Sequence, residues 1–243
     1  MSLAGRSWLV ALAALVAVLA CARLGWWQVQ RAQQKQAIQR QLDERQARPP
    51  LPATDLAQAA AEVPGQVQRT VQVSGRWLMD RTVYLDNRQM NARVGFYVVT
   101  PLELAPGDVV LVQRGWVPRD ARDRGALPAL PAQPGTVSLV ARIIPEPSRL
   151  FEFQAESSGL IRQNLDLQAF ARETGLALRP LALMQLQPAT PNDFLLRQWP
   201  VVAADLSKHH GYAFQWFALS ALIAGLYVWF QLIRPRRHAA RSA

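Results

Sequence analysis

Histidine is scarce in this chain, and two of its three copies stand side by side: His209 and His210 open the stretch 209–233, while His238 lies near the C-terminus. A neutral imidazole is a common ligand for metals and for haem iron, and an ionisable residue at the entrance to an apolar helix is a functional candidate by position. His209, Tyr212, Trp216 and Ser220 are spaced 3, 4 and 4 apart. That spacing puts them on one helix face, a polar stripe able to bind a ligand where the apolar run begins. The same stripe also reads as an interfacial belt, because Trp and Tyr collect at headgroup level through their amphipathic rings. Position alone is equally consistent with His209 as ligand and as anchor. His210 sits about 100° further round the helix, so the two imidazoles cannot easily face one iron from the same side.

Two apolar segments must position these residues. The stretch 209–233 runs apolar for about 20 residues and stops at Arg234-Pro235-Arg236-Arg237, the length and flanking of a helix crossing a hydrocarbon core. Residues 7–27 form the other: an apolar run between Arg6 and Arg23, extended by Leu24-Gly25-Trp26-Trp27. The triplet Ala20-Cys21-Ala22 has the small-x-small pattern of a signal-peptide cleavage site, and Leu19 fits a lipoprotein signal poorly. The spanning length reached with Trp26 and Trp27 favours a retained transmembrane helix over both. For orientation, Arg23, Arg31, Lys35 and Arg40 outnumber Arg6 and argue for reverse insertion of the first helix taken alone. The segment between the helices is far longer than the loops the charge rule governs, and Arg234, Arg236, Arg237 and Arg241 follow the second helix against Arg197 and Lys208 before it. Both termini inside with the middle outside is the better fit.

Residues 28–48 contain neither Gly nor Pro, so the first helix is expected to continue out of the membrane, with Gln28, Arg31, Lys35, Ile38 and Leu42 on one face. That face is either a solvated stalk or a docking surface. A linker at 49–66 opens on Pro49-Pro50, includes a short helix at 54–63, and leads to a β-rich domain at 67–205. Runs rich in Val, Thr and Tyr at 70–74, 82–85, 95–100, 109–117, 136–144, 159–163 and 178–186 read as strands. Ala105-Pro106-Gly107-Asp108 reads as a type II turn joining an antiparallel hairpin. Residues 119–134 read as an exposed loop, and Asp166 as the cap of a helix at 167–174 ended by Gly175. The fold class is therefore a membrane protein in which two transmembrane helices flank one antiparallel β-rich, α+β and barrel-like extracytoplasmic domain, with a basic tail at 234–243.

Composition removes several function classes. The 27 basic residues against 17 acidic ones give +10, but the arginines crowd the tail and are otherwise scattered singly, which is no nucleic-acid patch. Cys21 is the only cysteine, and the long middle contains neither His nor Cys. Ser-His-Asp and Cys-His catalysis and the usual zinc sites are thereby removed from it. An enzyme on this chain would have to work through carboxylates such as Asp80, Asp86 or Asp120.

Taken together, the blocks along the chain closely resemble the surfeit locus protein 1 family, membrane proteins that assist assembly of cytochrome c oxidase. Leu24-Gly25-Trp26-Trp27-Gln28-Val29-Gln30-Arg31 resembles the family's Leu-Gly-x-Trp-Gln-x-x-Arg. Gly75, Leu85-Asp86-Asn87-Arg88, the run from Gly95-Phe96-Tyr97 to Pro101-Leu102, Arg114-Gly115-Trp116-Val117-Pro118, Gln163-Asn164-Leu165-Asp166, and the entry to the second helix from His209 to Phe217 are similar to its other blocks. The resemblance implies a non-enzymatic factor in a bacterial cell inner membrane with its domain in the periplasm. It further implies that haem a is bound or supplied while the oxidase catalytic subunit matures, with that subunit, and haem a synthesis enzymes, as partners. His209 is then the candidate ligand of the haem iron, with Tyr212 and Trp216 beside the macrocycle, and with Gln28 and Arg31 orienting it or pairing with a propionate. Because Arg matches carboxylate geometry, Arg88 and Arg114 are candidates for propionate contacts from the domain, and they read equally as turn and edge residues or as salt-bridge partners of Asp86 or Asp108. At His210 the family more often has an apolar residue. The competing reading is a membrane-anchored scaffold that grips oxidase subunits without binding haem.

Overall fold

A 45-residue helix opens the chain: α1, Leu3–Ala47, unbroken until Pro49 and Pro50 remove the backbone donors that would extend it. In this computed structural model the described residues are 3–120, 122–123, 125–131, 133–150, 159–190, 193–200 and 206–234. The expected basic tail beyond Arg234 and the last residues of the expected domain, 201–205, lie outside them. The chain divides into two units, Met1–Gln41 with Val202–Ala243, and Leu42–Val201.

The second unit carries strands β1 (Leu51–Pro52), β2 (Thr70–Trp77), β3 (Val83–Met90), β4 (Arg93–Ala105), β5 (Asp108–Pro118), β6 (Thr136–Ile144), β7 (Ile161–Arg162) and β8 (Leu178–Gln185). Its helices are the single turn α2 (Val63–Gln66) and α3 (Leu167–Thr174). The order β2-β6-β8-β5-β4 closes on itself, because β2 pairs with β6 along one edge and with β4 along the other, at Arg76↔Glu103 and Trp77↔Leu102. β4 is long enough to serve two partners on that edge, giving its first half to β3 and its second to β2. Closure removes exposed sheet edges, the standing liability of β proteins.

The fold is the β-rich, barrel-like domain between two apolar helices that the sequence predicts, with one difference in strand direction. β8 is antiparallel to β6 but parallel to β5. A ring of five strands cannot alternate direction all the way round, so closing this one requires a parallel pair. β1–β2 and β3–β7 are also parallel, each over two residues. The expected strand at 159–163 shrinks to β7, and the run at 82–85 extends to Met90 across a bulge at which Asn87 adopts φ 59°.

Alternation along the strands builds two apolar layers. Val71 and Val73 of β2, Val110 and Val112 of β5 and Leu181 and Leu183 of β8 fill the barrel interior. Leu111 and Ala182 face the other way, against Leu167 and Phe170 of α3. β5 is thus buried on both faces, which is why it reads as a continuous apolar run. α3 has the boundaries the sequence predicts: the Asp166 carboxylate accepts the Ala169 N–H at 2.8 Å, and Gly175 turns left-handed at φ 71°. The expected helix at 54–63 does not form. The Glu62 carboxylate accepts the N–H groups of Gln58 and Ala59, the Gln66 side chain accepts that of Ala57, and these bonds hold two 3₁₀ turns, Ala53–Asp55 and Ala60–Glu62.

The Pro106-Gly107 turn between β4 and β5 is tied to β8. Arg179 donates to both oxygens of Asp108 at 2.7 Å, and this bond, more than the opposing effect of burial, holds the Asp108 carboxyl below the usual carboxylate range. A depressed folded pKa contributes stability above the unfolded value and loses it as pH falls through the folded one. Asp108→Asn is therefore expected to lower the urea midpoint of the full chain in detergent at pH 7, by about 1 kcal/mol given the partial exposure of the pair. That difference should vanish as the parent is acidified through the depressed pKa of Asp108. A gap that persists in acid would sink the assignment.

The last helix, α4, spans Leu206–Tyr227 and widens to a π-helical turn at Val228–Ile233. The segments Trp8–Ala47 of α1 and Lys208–Gln231 of α4 and its π-helical turn are long and apolar enough to cross a membrane, yet only 11% and 6% of their most apolar windows are buried in the structure. A core helix of a water-soluble protein would be covered by its own fold. Here Leu12, Leu15, Leu19, Phe214, Leu222 and Phe230 face outward, an arrangement suited to lipid.

Candidate functional site

α1 and α4 pack side by side in the first unit, and three contacts set their register. The Ser220 hydroxyl donates to the Val18 carbonyl at 3.1 Å, the Phe217 ring lies over Gly25, and His209 Nδ1 meets Gln28 Oε1 at 2.8 Å. Positions rise along α1 as they fall along α4, so the helices are antiparallel and residues 42–201 leave and return at the same end of the pair. Cys21, Gly25 and Ala32 are buried on α1, and Ala213 and Ser220 on α4. Small residues belong there: between apolar helices in lipid, association depends on close approach and interhelical hydrogen bonds rather than on a hydrophobic drive. A Cβ added at Gly25 would stand 2.9 Å from the Phe217 ring.

The sequence-predicted site residues divide into those the packing brings together and those it does not. His209 is half-buried and bonded to Gln28 across the helix pair. Trp216, nearly two turns deeper on α4, is half-buried, whereas Tyr212 is 51% exposed and His210 is exposed. Arg31 stays with its own helix, its guanidinium 5.7 Å from the Trp27 ring centre and 3.5 Å from Gln34 Oε1. The stripe of His209, Tyr212, Trp216 and Ser220 is thus split by the partner helix. Its two ends bond to α1, and Tyr212 turns outward. Sequence reasoning misses Gly25, Phe217 and Ala213 as contact residues; the recurrence of small residues at 21, 25 and 32 on one helix and at 213 and 220 on the other was the available signal.

The chemistry open to this site is narrow. Among the described residues no group of three His, Cys, Asp or Glu side chains could hold a metal ion. One imidazole holds a metal well only if the metal brings its other ligands, as haem iron does with the four nitrogens of its macrocycle. His209 fits that role: one ring nitrogen is engaged by Gln28, Nε2 makes no protein hydrogen bond among the described residues, and the ring sits at the polar end of two apolar helices. A flat apolar group with charged propionates suits such a boundary.

The arginines considered for propionates face inward instead. Arg88 is 3% exposed and donates to the carbonyls of Ser148 and Gln163 at 2.8 and 2.6 Å and to the Asn164 side chain, while its own carbonyl accepts the Trp116 indole N–H at 2.9 Å. Blocks far apart in sequence, at 85–88, 114–118 and 163–166, thereby meet in one hydrogen-bonded knot that fastens β3 to β5 and to the connection before α3. Arg114 is buried 4.4 Å from the Trp77 ring centre, and burial pushes its pKa down to about 10, so it stays charged at neutral pH. Both are interior fasteners. Of the three carboxylates the sequence singles out, Asp86 pairs with Arg119, Asp80 with its neighbour Arg81, and the N–H groups of Arg122 and Asp123 hold the exposed Asp120 below the usual range.

Comparison with known proteins bears on most of the chain. A model of the SURF1 family matches residues 15–221. A SURF1-like protein of Rickettsia bellii is 28% identical over 222 residues, covering 89% of this chain and 88% of that protein. A SURF1-like protein of Drosophila melanogaster is 28% identical over 88% of this chain and 74% of its own length, and human Surfeit locus protein 1 is 28% identical over 86% and 72%. The matched region includes Gln28, both membrane-capable helices at their contact, and every strand of the barrel.

Proposed function

The chain belongs to the SURF1 family, and from that premise we propose that it is a non-enzymatic assembly factor for cytochrome c oxidase that holds haem a while the catalytic subunit matures. The observation that carries the proposal is the His209 ring, held by Gln28 at the polar end of the helix pair, with no hydrogen bond to its second nitrogen among the described residues. Haem a would supply the redox-active iron that the oxidase needs. This chain's own residues would hold it: His209 through Nε2, with Trp216 along the same helix and the outward Tyr212 at the margin. Gln28 acts on the histidine, and Arg31 lies one turn further along α1, on the side where propionates would meet water.

The proposal includes a place and partners. An antiparallel helix pair supports a domain on one side of the membrane, and the arginines that follow the second helix support chain ends on the cytoplasmic side. The domain is then periplasmic in a bacterial inner membrane. There it can meet the oxidase catalytic subunit, and the enzymes that make haem a can deliver to the same boundary.

Absorbance of the detergent-purified full chain, expressed in cells that synthesise haem a, tests this directly. A Soret band that copurifies with the chain, and pyridine-extractable haem a near one per molecule, are expected. A chain free of haem from cells shown to contain haem a would leave a scaffold that grips oxidase subunits as the better account.

A further inference from the structure

Gln28 reaches His209 through a carbonyl oxygen, which can only accept a hydrogen bond. The 2.8 Å contact therefore requires the proton on Nδ1, and a neutral imidazole with its proton there presents a lone pair on Nε2. In water, free histidine favours the opposite tautomer, with the proton on Nε2. The two residues are 181 apart in the chain and on different helices, so this choice exists only once α1 and α4 have paired. Ser220 on Val18 and Phe217 against Gly25 hold that pairing deeper in the same interface.

We propose that Gln28 is the positioning residue of the site: it fixes the His209 tautomer so that Nε2 faces outward as the ligand atom, and, being a neutral amide, it limits how strongly that atom donates. The inference rests on the haem-holding reading for its ligand but not for its tautomer. Metal-binding histidines commonly give their other N–H to a carboxylate or a backbone carbonyl, and a carboxylate makes the ring the stronger donor. A chain that must pass its cargo on is better served by a weaker donor. Gln28 also stays uncharged at the edge of the bilayer, where a buried carboxylate would be costly.

Two measurements separate this proposal from the function on which it rests. The first uses the haem-free full chain in detergent at pH 8, with ¹⁵N-labelled histidine, and reads the tautomer from the ring nitrogen shifts. The His209 signal, identified by its loss in His209→Ala, should report Nδ1–H, and in Gln28→Leu it should move to a majority of Nε2–H. Nε2–H in the parent chain, or no change in Gln28→Leu, overturns the proposal whether or not haem binds. The second follows transfer of haem from the loaded chain to apomyoglobin, together with the reduction potential. Gln28→Glu should release haem about tenfold more slowly and at a lower potential, and Gln28→Leu should bind it about tenfold more weakly. Release and potential unchanged in Gln28→Glu would overturn the claim that the amide sets donor strength. If the tautomer is as stated but the parent chain never carries haem, the failure belongs to the functional reading, and Gln28 positions His209 for another ligand.

Discussion

His209→Ala is expected to lose most of the bound haem, at least tenfold in occupancy, and to lower oxidase assembly in proportion, with the protein still folded and membrane-inserted. The substitution removes the imidazole that bonds to Gln28 across the helix pair and whose second nitrogen makes no hydrogen bond among the described residues. Its structural cost is small. One interhelical hydrogen bond is lost, worth about 1 kcal/mol, and Gln28 is left where water can reach it. Ser220 on Val18 and Phe217 over Gly25 still hold the helices together. His210→Leu should leave haem and assembly nearly intact, because His210 is exposed and the hydrogen bond to Gln28 of α1 is made by His209. Equal losses in the two variants would mean that the adjacent imidazoles act together. Full occupancy in His209→Ala would end the ligand assignment and favour the scaffold.

The largest effect on the domain is expected from a single methyl group at Gly95. A Cβ there would stand 2.0 Å from the Val117 carbonyl oxygen and 2.6 Å from the Trp116 ring. Neither can yield. The carbonyl belongs to the backbone of β5, which pairs with β4 on both sides of this point, and the Trp116 ring is 1% exposed with its indole N–H bonded to the Arg88 carbonyl. Gly95→Ala should therefore cost roughly 3 kcal/mol or more, toward the severe end of overpacking. A lower urea midpoint by tryptophan fluorescence and a smaller yield of folded protein are the readouts. Gly65→Ala is the control, since nothing lies within 4 Å of a Cβ at that position. Wild-type stability in Gly95→Ala would show that β4 and β5 are further apart than described.

What the sequence determined by itself about this protein is what depends on neighbours along the chain. The two spanning runs, the stop at Pro49, the Pro106-Gly107 turn and the helix from Asp166 to Gly175 all follow from periodicity, missing donors or a cap within a few residues, and so they were legible. The scarcity of His and Cys was legible as well, and it pointed to His209. What only the tertiary structure decided involves partners far apart in sequence. Closure of β2 onto β4 made a ring of five, and that count required a parallel pair, which lies between β8 and β5, against the antiparallel expectation. Burial of Arg88 and Arg114 decided between the propionate and structural readings that the sequence left open, making both interior fasteners, because a signature block does not say which way its side chains point. The pairing of His209 with Gln28 needed two helices to meet in one register, set by a serine, a glycine and a phenylalanine whose contribution appears only when the helices touch. Helical spacing could place His209 on a face, but which nitrogen it presents depends on a hydrogen bond from the other end of the chain.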